Sequence, residues 1–287
     1  MSSGERAIHR RLIVELCHGG ADARTLRAVA EFAALLELDL HGLFIEDAAL
    51  LALAELPFAR EIRLPTHEWQ KLDADRIAGE LHRAAEHAQR LLHEVAAALD
   101  VPTAFQVLRG DPAETIAAIA SGSDVIVVAE PAAPGGRLAP GLSRVYEAAH
   151  GSAASLLLLP GGFTPRRGPV AVLLAGTDDP SLPPAARAAV NTRERLLVLL
   201  PEGDVALGGS VAERAMALGL SRSRVATRTL GALHAEDLLH ALGHVRERLV
   251  VLTRGASAAG DVAVAVRIAA DRGVPVLLVE PQPSPAQ

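Results

Sequence analysis

Short apolar runs alternate with longer helical patterns along the whole sequence. In the first half, the runs that predict strands are RLIVELC (11–17), DLHGLFI (39–45), TAFQVLR (103–109), DVIVVA (124–129) and ASLLLLP (154–160). Helical spacing of apolar residues falls near 21–37, 67–99, 112–121 and 142–151. Strands of this kind, separated by helices, are typical of βαβ units in a parallel sheet that is buried on both faces. The pattern therefore predicts an α/β fold.

The same order of elements begins again in the second half. Its predicted strands are PVAVLLAG (169–176), RLLVLLP (195–201), RVATRTL (224–230), RLVVLT (248–253) and PVLLVE (275–280), with helices near 183–193, 205–219, 234–246 and 258–272. A repeat of roughly 145 residues is too long for a solenoid unit and suits a duplicated domain. The stretch PGGFTPRRGP (160–169) is rich in Pro and Gly, which is typical of an exposed connector. We therefore predict two domains, 8–162 and 168–281.

The two halves differ at residues 46–70, EDAALLALAELPFAREIRLPTHEWQ, which have no counterpart in the second half. This insert contains a cluster of apolar residues, in which Leu50 and Leu53 have helical spacing. Two interpretations are open. The insert is either an extra helical turn packed on its own domain, or a lid or oligomer contact.

Charge and composition exclude several classes of protein. The formal net charge is −6, without the basic stripe that neutralises phosphates, so we expect no nucleic-acid partner. Cys17 is the single cysteine, and the amino terminus MSSGERAIHRR is charged where a signal peptide is apolar. No uncharged run reaches the roughly 18 apolar residues of a membrane span. We therefore expect a cytoplasmic protein that does not bind membranes.

Two consecutive five-stranded α/β units with a Gly-rich stretch after the fourth strand resemble the universal stress protein family in its tandem form. The most specific segments are LRGDPAETIAAIASGSDVIVVAE (108–130) and GLSRVYEAAHGSAASLLLLP (141–160). The resemblance implies two tandem flavodoxin-like domains, each with a five-stranded parallel sheet of order 3-2-1-4-5, paired through their last strands about a pseudo-twofold axis. It also implies that any nucleotide lies at the carboxyl edge between the first and fourth strands, where the strand order reverses.

Nucleotide-binding members of that family carry an Asp after the first strand and a G-x2-G-x9-G-[ST] pattern after the fourth. Both signals are altered here, because His18 stands at the Asp position and no Gly in EPAAPGGRLAPGLSRV has the full spacing. The residues implied for an adenine nucleotide are His18, Gly19, Gly20, Gly135, Gly136, Gly141 and Ser143. Two interpretations stay open for the Gly-rich stretch 130–145 after the fourth strand: an ordinary turn, or a phosphate site for ATP, ADP or AMP.

The second half carries weaker versions of the same signals. Ala175 stands at the position of the Asp, and Gly255 and Gly260 have the wrong spacing. Arg254 and Ser257 are the polar residues of that loop that suit an anion. Any nucleotide binding is therefore expected in the first half.

Two pairs of residues suggest other kinds of chemistry. His240 and His244 are four residues apart, the spacing of a zinc pair on one helix face, although a solvated face also explains them. Cys17 beside His18 raises the question of a thiolate activated by an imidazole, against a small buried thiol. We predict neither a metal site nor catalytic residues.

The sequence thus predicts a non-catalytic cytoplasmic stress-response or regulatory protein of the universal stress type, with weak adenine-nucleotide binding in the first half. We expect a protein partner or self-association, as a homo-oligomer or as a pseudo-dimer within one chain. Two alternatives remain: a universal stress protein that binds and slowly hydrolyses ATP, and a scaffold that assembles through the insert.

Overall fold

A computed structural model describes residues 9–17, 22–63, 67–130, 147–202, 205–231 and 233–281. Its strands are β1 (Arg11–Glu15), β2 (Asp39–Asp47), β3 (Arg60–Arg63), β4 (Glu68–Lys71), β5 (Thr103–Gly110), β6 (Asp124–Ala129), β7 (Ser155–Leu159), β8 (Val170–Leu173), β9 (Leu196–Pro201), β10 (Val225–Leu230), β11 (Leu249–Thr253) and β12 (Val276–Val279). Its α-helices of eight residues or more are α1 (Ala23–Leu36), α2 (Ala48–Glu55), α3 (Ala74–Ala97), α4 (Pro112–Ile119), α5 (Leu182–Thr192), α6 (Val205–Ala217), α7 (Ala235–Leu242) and α8 (Val262–Arg272).

Ten of the strands form one sheet, in the order β10-β9-β8-β11-β12-β7-β6-β1-β2-β5. In this sheet every pairing within a half is parallel, and the order in each half is the predicted 3-2-1-4-5. The halves meet where β7 and β12 pair antiparallel, with Leu157 opposite Leu277. The predicted α/β fold class is confirmed, and the last strands of the two copies are paired as expected.

Helices cover both faces of this sheet. Successive strand residues point to opposite faces, so Leu12 and Val14 of β1 enter one apolar cluster and Ile13 enters the other. The first cluster packs under α1, α3, α5 and α6, and the second under α4, α7, α8 and the helical residues 147–151. Both clusters contain residues of both halves, so apolar burial is continuous across the β7–β12 pairing.

Aspartates fix where the helices begin. In five helices the N-cap carboxylate accepts backbone N–H groups of the first turn, and these residues are Asp22, Asp47, Asp73, Asp111 and Asp261. Each such cap contributes about 1 kcal/mol to stability. None of the helices in the described ranges has both the length and the apolar character needed to cross a bilayer.

Polar contacts also join the halves. Asn191 of α5 donates to the carbonyl of Leu35 at the end of α1, over 3.0 Å. His9 Nε2 lies 2.7 Å from Ser155 Oγ, and this oxygen also accepts the backbone N–H of Glu280 over 2.9 Å. These groups are at the boundary between the two copies, so they hold the copies in register.

The insert is more elaborate than predicted. After α2 the chain forms the hairpin β3–β4, and the long helix begins at Ala74 rather than near residue 67. The connector is also less exposed than predicted, because Phe163 is buried and Arg166 donates to the carbonyl of Glu247 over 2.7 Å. In both places contacts with residues far away in the sequence decide the structure.

Candidate functional site

The strand order of the first half reverses between β1 and β6, since β1 pairs with β2 on one side and with β6 on the other. In an open α/β sheet the crevice outside the carboxyl ends of such strands is where ligands bind. A cavity of about 410 Å³ lies on this side of the sheet. It is lined by the start of α1, by the ends of β6 and β7, and by the connector. The volume falls within the roughly 300–1,000 Å³ of small-molecule sites.

One part of the cavity wall is apolar. Ala28 of α1, Ala129 at the end of β6 and Leu159 at the end of β7 line it, together with Phe163 of the connector. Phe163 packs against Phe32, with ring centroids 5.9 Å apart and planes tilted by 42°. The sequence offered no signal for Phe163, because its partner is in α1. A flat apolar group, such as a nucleobase, suits a wall of this kind.

The polar side chains of the lining are mainly acidic. They include Asp22 and Glu130, with Arg24 and Thr25 beside them. The Asp22 carboxylate accepts the backbone N–H groups of Arg24 and Thr25, each over 3.0 Å, and the Thr25 hydroxyl. Burial raises the pKa of Asp22, but the hydrogen bonds from Thr25 and Arg24 outweigh it, so this pKa lies below its ordinary value.

These contacts decide which part of a ligand the cavity suits. Free N–H groups at a helix start attract anions, but here the Asp22 carboxylate already accepts those of Arg24 and Thr25 in α1. An ionised Asp22 also repels phosphate and accepts hydrogen bonds from hydroxyl or amino groups. The cavity therefore matches the sugar and base of a nucleoside better than its phosphates.

The predicted nucleotide contacts fall in two segments that are next to lining residues of this cavity in the sequence. His18, Gly19, Gly20, Gly135, Gly136, Gly141 and Ser143 all lie outside the described residues. Asp22 follows one segment closely and Glu130 directly precedes the other, and both line the cavity. The seven assignments stay predictions, whereas Asp22, Ala28, Ala129 and Phe163 are lining residues that the sequence interpretation missed.

Cys17 at the end of β1 is a protonated thiol. Burial raises its pKa to about 12, helped by the negative charges of Glu15, Asp47 and Glu46. Its backbone N–H donates to Glu15 Oε1 over 2.6 Å. A thiol with such a pKa is a poor nucleophile at neutral pH. Cys17 is half-buried, and its raised pKa argues against an activated thiolate.

The second half fills the equivalent space with its own side chains. Asp179 is buried after β8, and its carboxylate accepts the N–H of Ala175 over 2.9 Å. It also accepts the N–H and the hydroxyl of Ser181, over 3.0 and 2.6 Å, and the hydroxyl of Thr253 at the end of β11. Asp179 thus ties the first strand of this half to the fourth. Because its oxygens already accept these four donors, it is not free to hold a ligand.

Arg254, which the sequence offered as an anion-binding group, is engaged elsewhere. Its guanidinium donates to the carbonyls of Ser152 and Ala154, over 3.1 and 3.2 Å, and lies 2.8 Å from Glu280 Oε2. These carbonyls follow the helical residues 147–151 of the first half, where a cation is favourable. Arg254 therefore joins the two copies, and the second-half anion site loses its cation.

The histidine pair does not share a helix face. Helix α7 ends at Leu242, and Gly243 has a φ of 47°, so His244 leaves the helical path of His240. Across the described ranges, no three His, Cys, Asp or Glu side chains are grouped so as to hold a metal ion. His240 therefore lies in the helix and His244 lies beyond its end, so the two do not form a pair on one helix face.

Solved structures give the only positive comparison. A universal stress protein from Archaeoglobus fulgidus DSM 4304 matches with a TM-score of 0.59 at 14% identity, covering 94% of this chain and 96% of that one. A candidate universal stress protein from Pseudomonas aeruginosa UCBPP-PA14 gives 0.52 at 14% identity, covering 94% and 93%. A protein of unknown function from Pseudomonas aeruginosa PAO1 gives 0.51 at 16% identity, covering 95% and 93%.

Comparisons by sequence add nothing to this result. No family model matches the chain, and no curated protein does. At 12 to 16% identity the structural likeness concerns the fold, and it extends over almost the whole chain. The chain has the fold of the universal stress proteins, with two five-stranded copies in one polypeptide.

Proposed function

We propose that the protein is a non-catalytic cytoplasmic regulator of the universal stress type that binds one adenine nucleotide, in its first half only. The observation that carries this proposal is the cavity of about 410 Å³ at the strand-order reversal of the first half, set against the occupied space around Asp179 in the second. The two units, 8–162 and 168–281, then act as a binding domain and a supporting domain.

The lining of the cavity determines the orientation of the bound nucleotide. The base packs against Ala28 and Phe163, and Asp22 and Glu130 accept hydrogen bonds from its hydroxyl or amino groups. The phosphates extend away from these carboxylates, and the residues that the sequence predicts for contacting them are Gly135, Gly136, Gly141 and Ser143. Because the chain supplies acidic groups here, we expect AMP and adenosine to bind at least as well as ATP.

Catalysis is not part of the proposal. Hydrolysis of ATP needs cations that neutralise the developing negative charge, and the described lining offers Arg24 beside two carboxylates. The alternative of slow hydrolysis predicts phosphate release above the spontaneous rate. The scaffold alternative predicts no bound nucleotide at all.

The first experiment is purification without added nucleotide, followed by denaturation and mass spectrometry of the released small molecules. We expect adenosine or AMP in amounts that approach one per chain. Phosphate release is measured on the same preparation with ATP present, and we expect none above the blank. Release of no nucleoside or nucleotide, together with no binding of added ligand, would remove the proposal.

A further inference from the structure

The insert carries nearly all the exposed large apolar side chains among the described residues. They are Phe58 (75% exposed), Trp69 (64%), Leu53 (49%), Ile62 (47%), Leu50 (39%) and Leu56 (38%), and we call these six the insert patch. If a fully exposed side chain of this size offers about 200 Å², the patch exposes roughly 600 Å² of apolar surface. A typical monomer has no larger apolar patch than this, and such patches are often functional.

Helix α2 has two apolar stripes rather than one. Its inner stripe, Leu51 and Ala54, belongs to a small core with Ala59, Leu72 and Ile77 on the side of α3. Its outer stripe is Leu50 and Leu53, which are exposed. A helix that covers only its own domain needs one apolar stripe. The inner stripe already packs on the domain. The outer stripe is therefore available to contact a partner.

The hairpin β3–β4 also has one face turned towards the protein and one face turned outward. Ile62 lies directly opposite Trp69 across β3 and β4, so both side chains are on one face. Glu61 lies on the other face and accepts a hydrogen bond from Arg76 of α3, so that face is turned towards the body of the protein. Ile62 and Trp69 are therefore turned away from it, on the same outward side as Arg60 and Lys71.

Charge distinguishes between two kinds of partner. Residues 46–71 contain five acidic and three basic residues, a net charge of −2, which disfavours an anionic membrane surface. The exposed charges around the patch are of both signs, with Arg60 and Lys71 on the hairpin and Glu55 at the end of α2. When two identical surfaces meet about a twofold axis, such a mixture lets each basic group face an acidic group of the other copy.

Two copies of this patch have the area that a specific dimer needs. Together they would bury roughly 1,200 Å², the lower bound for stable protein interfaces. The last strands β7 and β12 are already paired within the chain, so that pair of strands is not free for a second copy. We infer that the insert patch is the contact through which two copies of this chain form a homodimer. This inference does not depend on the nucleotide.

Sedimentation equilibrium over a wide range of protein concentrations tests the inference. The wild type should shift from the monomer mass of 29.9 kDa to twice that value. Trp69→Lys places a charge in the patch of both copies, and we expect a dissociation constant at least tenfold larger. Gln70→Lys is the matched control, because it adds the same charge on the opposite face, across from Glu61, and should leave the dimer unchanged.

Each other outcome overturns the inference. A wild type that stays at 29.9 kDa at every concentration has no such contact, and a Trp69→Lys variant that dimerises like the wild type places the contact elsewhere. Co-sedimentation of a monomeric wild type with phosphatidylserine vesicles would assign the patch to a membrane. Trp69 is exposed, so circular dichroism should show both variants folded, and both should bind nucleotide as the wild type does.

Discussion

Thr253 donates its hydroxyl hydrogen to the Asp179 carboxylate, across 74 residues of sequence and across the strand-order reversal of the second half. The same place in the first half contains a cavity of about 410 Å³. At the strand-order reversal, the second copy therefore engages its Asp179 carboxylate in internal hydrogen bonds, and the first copy has a cavity beside the start of α1. A duplicated fold of this kind can keep one ligand site while the other copy becomes structural.

Removing the Asp179 carboxylate should destabilise the protein. Asp179→Ala leaves four donors, including the hydroxyls of Ser181 and Thr253, without their acceptor in a buried place. We expect the free energy of unfolding to fall by about 3 kcal/mol. Urea denaturation measures it.

The neighbouring Asp178 provides the control. Its side chain is 95% exposed and lies 3.0 Å from Arg214. Asp178→Ala should change the free energy of unfolding by no more than about 0.5 kcal/mol. Equal losses in the two variants would mean that Asp179 has no special structural role.

The pair formed by Arg11 and Asp124 makes a second stability prediction. Asp124 is fully buried at the start of β6, and Arg11 donates to both its oxygens, over 2.9 and 2.7 Å. Arg11→Met removes these donors and leaves a buried charge with the hydrogen bonds of Ser121 alone. Since Arg11 is partly exposed, we expect a loss of about 2 kcal/mol on urea denaturation. Arg10→Met, at the exposed neighbouring position, should have almost no effect.

His9 predicts a loss of stability in mild acid. Burial lowers the pKa of His9 to about 4, with a further lowering by Arg187 and an opposing effect of Asp124. The unfolded chain takes up a proton at this position below its ordinary pKa of about 6.5, and the folded chain does not until about pH 4. Stability is therefore lost as the pH falls from 6.5 towards 4, by about 2 kcal/mol at pH 5.

A variant isolates the contribution of this imidazole. His9→Gln keeps a group that can hydrogen-bond Ser155 but does not titrate. Urea denaturation at pH 7 and pH 5 should show a smaller difference for the variant than for the wild type, by about 2 kcal/mol. Other groups, such as His41 with its pKa lowered chiefly by burial, contribute equally to both proteins. An unchanged difference would contradict a neutral, buried His9.

The central strands were predictable because each is a continuous apolar run that is buried on both faces, as in β6, β7, β9 and β11. The runs DVIVVA and RLVVLT predicted β6 and β11 within a residue, the repeated pattern predicted the two copies, and the family resemblance implied the strand order. Helix starts were also visible locally, since an Asp before an apolar-periodic segment is an N-cap signal. Information of this kind lies within a few residues of the position it determines.

The features that the sequence analysis did not predict depend on contacts between residues that are distant in sequence. The hairpin β3–β4 exposes Ile62, Trp69 and Lys71 on its outward face, so its segment carried no apolar pattern of a buried strand. Asp179 was passed over in favour of Ala175, because its role depends on Thr253. Phe163 lies in a segment rich in Pro and Gly, and its burial depends on Phe32. Such pairings are created by the fold and leave no local signal.

We expect the protein to bind one nucleotide, in the cavity of the first half. Calorimetric titration with adenosine, AMP, ADP and ATP tests it in the wild type and in Ala23→Trp. Ala23 is an exposed residue at the first position of α1 and lines the cavity, so an indole there should block the site without disturbing the core. Ala48→Trp is the matched control, since Ala48 is also exposed and also follows an Asp N-cap, at the start of α2.

We predict one binding site per chain in the wild type and in Ala48→Trp, with a dissociation constant at least tenfold larger in Ala23→Trp. Two sites per chain would contradict binding in the first half only. No binding in any of the three proteins, or equal binding in all of them, would contradict the cavity as the nucleotide site.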